Sequence, residues 1–293
     1  MTTDYSDIMT INSEDSVRRM HVKNMVLGKC IRFRYKDGIY EMNGNNVLLK
    51  KVLVENGSFE IPSFVTSLHD DNKYVSPFID CVSLKVTNKS EITDFKRLFA
   101  ESRIKELDLS EFDASKAESL ESFLMDCKEL HTVNLTGFTT SNRLKFMSFF
   151  FRGCNHITSL DLNSLTTDHV TDFSYMFEGC NRLSEFVLTP NSALINSICF
   201  QAGNYLPLNI KNGLMFNYMF SGTKALKKLS LGGCKDAFVV EGMFKNSNIK
   251  MLDMRYFKLT TNVLSIEDIF AGCKYLSKVY VTDPTLEKAI DNR

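Results

Sequence analysis

Residues 159–188 read SLDLNSLTTDHVTDFSYMFEGCNRLSEFVL. Two features of this stretch recur along the chain. The first is an apolar-x-x-apolar-x-apolar pattern, met here as Ile157, Leu160, Leu162 and again as Leu183, Phe186, Leu188. It returns at Ile104, Leu107, Leu109; Leu130, Val133, Leu135; Leu226, Leu229, Leu231; Ile249, Leu252, Met254; and Leu276, Val279, Val281. Successive first positions lie 26, 27, 26, 43, 23 and 27 residues apart. Alternation over a short run marks a strand with one buried face, and a fixed period marks stacked units.

The second feature is an apolar residue six positions before each strand pattern: Leu124, Phe151, Phe177, Phe220 and Phe270. Phe99 and Phe244 stand one residue closer. In VTDFSYMF (170–177), Val170, Phe173 and Phe177 fall on one face at helical spacing. Each unit therefore reads as a short helix, a turn and a short strand. One such unit cannot bury both faces, whereas a stack shares a continuous core. Cys127, Cys154, Cys180 and Cys273 hold one equivalent place, three residues before the strand pattern. They read as a buried column of reduced thiols packed as small hydrophobes.

The 43-residue spacing contains one unit plus an insertion at 189–213, TPNSALINSICFQAGNYLPLNIKNG, punctuated by Pro190, Gly203, Pro207 and Gly213. Ile195, Ile198 and Phe200 suggest that part of it packs. Residues 31–55 read as a meander, with a turn at Lys36-Asp37-Gly38 and another within NGNN. The expected organisation is an N-terminal segment and β-rich cap at 1–60, a repeat array at 61–282 and a charged tail at 283–293.

The stretches at 159–188 and 107–135, with their MF-x-G-C-x-x-L motif, L-x-L strand and following bend, resemble the BspA-type leucine-rich repeats of bacteria and some protists. The resemblance covers roughly residues 60–282. It implies an α/β, right-handed leucine-rich-repeat solenoid of about seven to eight repeats, used for binding proteins or surfaces. It brings no catalytic motif.

Composition agrees with a binding role. The 44% hydrophobic content, with 23 Phe and no Trp, suffices for a long core. Lys+Arg and Asp+Glu both number 35, a balance that disfavours nucleic acid as the main ligand. No run reaches the length of a membrane span. Residues 1–20 are polar and acidic, so the expectation is a cytoplasmic protein, with a surface or secreted role as the alternative. Cys127 with His131 and Cys154 with His156 come nearest to ligand or nucleophile pairs, but paired Cys-x-x-Cys spacing is missing. No cofactor or metal is expected. The leading expectation is a non-catalytic scaffold that binds and modulates a protein partner, with self-association possible. An exported adhesin is the alternative, and an enzyme built on 189–213 ranks below both.

Two faces are candidates for the contact. Outward strand positions run Glu106, Asp108, Thr132, Asn134, Ser159, Asp161 and Glu185, then Lys228, Ser230, Met251, Asp253, Arg255, Lys278 and Tyr280. They pass from acidic or neutral to mostly basic, which would orient a partner of opposite polarity. On the other side, Phe149, Tyr175 and Tyr218 precede Phe151, Phe177 and Phe220 by two residues. On a helix they would point away from the core as an aromatic ladder. Ser122 and Asp268 fill this slot elsewhere, so the fold does not demand an aromatic there.

Overall fold

The computed structural model describes residues 8–27, 30–68, 75–187 and 209–291. The chain begins with β1 (Met9–Ile11) and α1 (Glu14–Leu27). A meander follows: β2 (Ile31–Tyr35), β3 (Gly38–Asn43) and β4 (Asn46–Val52), antiparallel in order, with β1 parallel to β2. Phe33, Tyr35, Tyr40 and Phe64 pack ring against ring at 5.2–6.5 Å. Backbone bonds from Leu49 to Ser67 and from Val52 to Pro77 tie the meander to the array.

The array is a β-solenoid of about nine turns. One short strand comes from each: β5 (Asn56–Ile61), β6 (Ser83–Asn88), β7 (Glu106–Asp108), β8 (Thr132–Asn134), β9 (Ser159–Leu160) and β10 (Glu185–Phe186), then β11 (Lys228–Ser230), β13 (Met251–Asp253) and β15 (Lys278–Tyr280). Pairing is parallel throughout, with Leu84↔Leu107↔Val133 and Leu229↔Leu252↔Val279 in register. Two further strands, β12 (Cys234–Ala237) and β14 (Phe257–Leu259), form a second parallel ladder on the next side. The helix α2 (Pro284–Asp291) ends the described chain, with Leu286 fully buried. One hydrophobic cluster runs from Ile11 through every coil to Leu286.

The segments expected as helices are not helical, and this corrects the α/β reading. Each carries two residues with positive φ, four apart: Ser122 and Asp126, Phe149 and Gly153, Tyr175 and Gly179, Tyr218 and Gly222, Gly242 and Asn246, Asp268 and Gly272. Two left-handed residues per turn cannot continue an α-helix. The backbone instead alternates two kinds of bond. Within a coil, the Met176 N–H donates to Phe173 O and Glu178 N–H to Tyr175 O. Across coils, the N–H groups of Phe173, Tyr175, Phe177 and Gly179 donate to the carbonyls of Met215, Asn217, Met219 and Ser221. The ribbon buries Phe173, Met176, Phe177 and Cys180, the i, i+3, i+4, i+7 set that a helix would also bury. The apolar period is therefore the same for both structures, and inter-coil pairing decides between them.

The two close spacings have a local cause. The Phe99 N–H bonds to Phe123 O and Leu124 N–H to Phe150 O, so Phe99 occupies the same column as Leu124 and Phe151. Phe220, Phe244 and Phe270 likewise stack at 5.7 Å with planes 5–7° apart. The missing residue is lost in the bend before the strand, where Ser102-Arg103-Ile104 and Ser247-Asn248-Ile249 replace Cys-x-x-Leu. Within the insertion, residues 189–208, with Ile195, Ile198, Phe200 and Cys199, lie outside the described residues. Asn209 and Ile210 rejoin the array, Asn209 through a 2.9 Å bond from its N–H to Thr167 Oγ1 and Ile210 by full burial.

Candidate binding faces

Alternation on the strands turns Glu106 and Asp108 outward around the buried Leu107. They border a shallow groove of about 500 Å³ across β5–β8, which Asn56, Ser83, Lys85, Thr132 and Asn134 also line. Ser83 Oγ donates to Glu106 Oε2 at 3.1 Å, and Asn134 Nδ2 donates to Asp108 Oδ1 at 3.1 Å. Burial works to raise the Asp108 pKa, but hydrogen bonds from Ser110 and Asn134 and the nearby Lys85 charge outweigh it. The carboxyl is held below its usual range and stays ionised. Lys85 itself is closed by Glu111 at 2.5 Å.

In the middle coils, Asp161 Oδ1 accepts the Asn163 backbone N–H at 3.0 Å and its Nδ2 at 2.7 Å. Glu185 is exposed and in register with Ser159. In the last three strands the registers are Lys228↔Met251↔Lys278 and Ser230↔Asp253↔Tyr280. Lys228 and Lys278 are exposed. Arg255 behaves differently from its expected role as an outward cation. Its Nε and Nη2 grip Asp253 Oδ1 and Oδ2 at 3.0 and 2.7 Å, and its guanidinium lies 5.7 Å from the Tyr280 ring centre. Asp253 is fully buried, so the arginine neutralises an internal carboxylate. The basic character of this end rests on lysines.

The ladder of Phe149, Tyr175 and Tyr218 is present on the ribbon side. Phe149 and Tyr175 stack at 4.7 Å and 6°, and Tyr175 and Tyr218 at 5.1 Å and 12°. All three are left-handed, at φ 61°, 60° and 52°, and half-buried. Ring faces cover one another, so ring edges meet solvent. Arg152 lies 5.9 Å from the Phe149 ring and pairs with Glu178 at 2.6 Å. The Tyr218 hydroxyl donates to Glu241 at 2.7 Å, and that bond, with burial second, pushes its pKa up to about 12. The next member of the column is Gly242, where a Cβ would stand 2.4 Å from the Tyr218 ring.

The thiol column is internal. Cys127, Cys154 and Cys180 are fully buried, and their thiols donate to the carbonyls of Phe99, Leu124 and Phe151 on the preceding coil at 3.0–3.2 Å. Cys273, half-buried in the last coil, donates to Phe244 O at 2.9 Å. Burial pushes Cys127 and Cys180 up to about 12, and Cys154 well above its ordinary value. The sequence reading missed that Ser102, Thr223 and Ser247 continue this column. Thr223 Oγ1 donates to Phe220 O at 2.9 Å, and Ser102 and Ser247 touch the thiols of Cys127 and Cys273. Their place just before each strand was the available signal. His131 and His156 face each other at 5.0 Å, and His156 Nδ1 meets Lys128 O, away from the buried thiols. Among the described residues no group of three His, Cys, Asp or Glu side chains is placed to hold a metal. Nor is any described helix long and apolar enough to cross a membrane.

Stacked coils of period near 26, columns of like residues and parallel ladders define a repeat-solenoid protein. Residues 75–189 match the model of a family described as Mycoplasma protein of unknown function, DUF285. No curated protein matches the chain, and no solved structure does.

Proposed function

We propose that this solenoid is a non-catalytic scaffold that binds and modulates a protein partner, acting as a regulator or effector, and that its repeats are of the BspA-type leucine-rich class. The observation that carries the reading is the strand column. It holds outward side chains on three parallel hydrogen-bonded ladders with rungs ~4.8 Å apart, with Glu106 and Asp108 on the first and Lys228 and Lys278 on the last. Such a preorganised charge pattern steers encounter and fixes register at little ordering cost. The family match over residues 75–189 and the MF-x-G-C motif at 176–180 support the repeat class.

Association kinetics test it. The partner obtained by affinity capture from the native source is measured against wild type, Glu106→Lys/Asp108→Lys and Lys228→Glu/Lys278→Glu. The expected result is about a tenfold slower association in at least one charge-reversed protein, with a weaker dependence on salt. Unchanged rates and salt dependence in both would sink the strand-face reading.

A further inference from the structure

Lysines in the early coils are compensated by the neighbouring coil. Lys105 pairs with Glu129 at 3.6 Å, Lys96 with Glu121 at 3.3 Å, and Lys89 with Glu60 at 2.7 Å. In the late coils Lys245 keeps such a pair, with Asp268 at 2.6 Å, but the lysines beside the strands do not. The His131 N–H bonds to Lys105 O as the Lys250 N–H bonds to Lys227 O, so Lys105 and Lys227 hold equivalent places. Where Lys105 meets a carboxylate, Lys227 has Lys250 on the next rung, and its ammonium donates to the Lys224 carbonyl instead. Lys224, Lys228, Lys274 and Lys278 surround them within three successive coils, and all six are exposed. No ion pair to any of the six occurs among the described residues. Burial, then the charges of Lys250 and Lys224, lower the Lys227 pKa, as expected where like charges crowd without a counter-ion.

We propose that this lysine cluster on the edge of β11, β13 and β15 is the docking site for a short acidic polypeptide segment, its carboxylates replacing the partners that Glu129 and Glu121 supply in earlier coils. The inference rests on the protein-binding reading and supplies the chemistry of the partner. A long polyanion fits poorly, because the same strand face continues into Glu185, Asp161 and Asp108 beyond the cluster. Lysine heads on rungs ~4.8 Å apart suit carboxylates on successive side chains, and the exposed Tyr275 beside Lys274 offers an apolar contact between them. The chain's zero net charge provides no general attraction for nucleic acid.

The test uses the full chain and a fluorescent oligoglutamate peptide, with an oligoglutamine peptide, an oligothymidylate and phosphatidylserine vesicles as comparison probes. Oligoglutamate is expected to bind with a steep salt dependence, and Lys227→Glu/Lys250→Glu to weaken it about tenfold or more. The same charge change at Lys96 and Lys116 is expected to leave binding unaltered. Lys250→Glu alone is a check on folding. It replaces the like charge one rung from Lys227 with a carboxylate, so thermal stability is expected to hold or rise while peptide affinity falls. Equal binding of oligoglutamate by wild type and the double variant overturns the proposal, as does tighter binding of oligothymidylate or vesicles. A native partner captured equally by both proteins overturns this site and leaves the protein-binding reading standing.

Discussion

Cys154 shows how a single side chain serves the stack. Its thiol donates to Leu124 O one coil back, and its own coil receives Cys180 in turn through Phe151 O. Ser102 and Ser247 occupy the same column and touch the thiol of the next coil, so Cys154→Ser should fold with a loss of about 1 kcal/mol, read by denaturant unfolding. The thiols also set an alkaline limit. Their folded pKa values, about 12 for Cys127 and Cys180, exceed the ordinary 9.0. The stability they contribute is full below pH 9.0 and is lost as pH rises toward 12. Melting temperature should therefore fall over that window, and fall less steeply in Cys154→Ser. In the native protein exposed Cys30, its pKa raised by burial and by Glu41, should still react with a thiol reagent before Cys127, Cys154 and Cys180, which wait for denaturant. Rapid native labelling of Cys154 would refute this. A different constraint acts at Gly137, where a Cβ would stand 1.9 Å from the Ser110 carbonyl oxygen. Backbone on the adjacent coil cannot step aside as a side chain would. Gly137→Ala is expected to cost about 2 kcal/mol or more in thermal unfolding.

At the scale of the element, the ribbon replaces the helix, and a spectrum distinguishes them. Helical intensity in far-ultraviolet circular dichroism should fall far short of a helix in every coil, since among the described residues only the 14 of α1 and the 8 of α2 are helical. A signal sized for a helix in every coil would contradict the ribbon. The aromatic column tests its energetics. A non-glycine residue in the left-handed region costs roughly 1–2 kcal/mol, and a stacked aromatic pair returns about 0.5–1.5 kcal/mol. Stacking thus offsets much of the strain at Phe149, Tyr175 and Tyr218. Changing all three to Ser keeps the strain and removes the stacks, so a loss of about 1–3 kcal/mol is expected, measured by urea unfolding. Unchanged stability would mean that the rings do not support the coil and are available for a partner.

Across the whole molecule, stability is a chain of neighbour contacts, because each coil touches chiefly the coils beside it. The ends therefore matter more than any middle coil. Leu286 of α2 is fully buried over the last coil, with Val281, Ala289 and Ile290 packed around the same cluster. Leu286→Ala should cost about 2–3 kcal/mol. Hydrogen exchange should rise in β15 and β13 and stay unchanged in β7. Uniform loss of protection across all strands would show that the array unfolds only as one unit.

The amino-acid order alone determined the period, the strand positions and the inward column of cysteines, because burying alternate residues and stacking equal units leaves a pattern in one dimension. It also determined the N-terminal meander, whose Lys36-Asp37-Gly38 and Asn43-Gly44-Asn45-Asn46 turns sit between the alternating runs of β2, β3 and β4. The backbone of the segments between strands was not legible. Phe173, Met176, Phe177 and Cys180 follow the spacing of a helix, and only hydrogen bonds to the adjacent coil show that they belong to a left-handed-punctuated ribbon. Site charges were legible as types but not as available groups. Arg255 looks like Lys228 in the strand pattern, yet its charge is spent on buried Asp253, while Lys227 and Lys250 stand outside that pattern and only register places them side by side. Pairing between coils is a tertiary property, and it decided which charges are left for a partner.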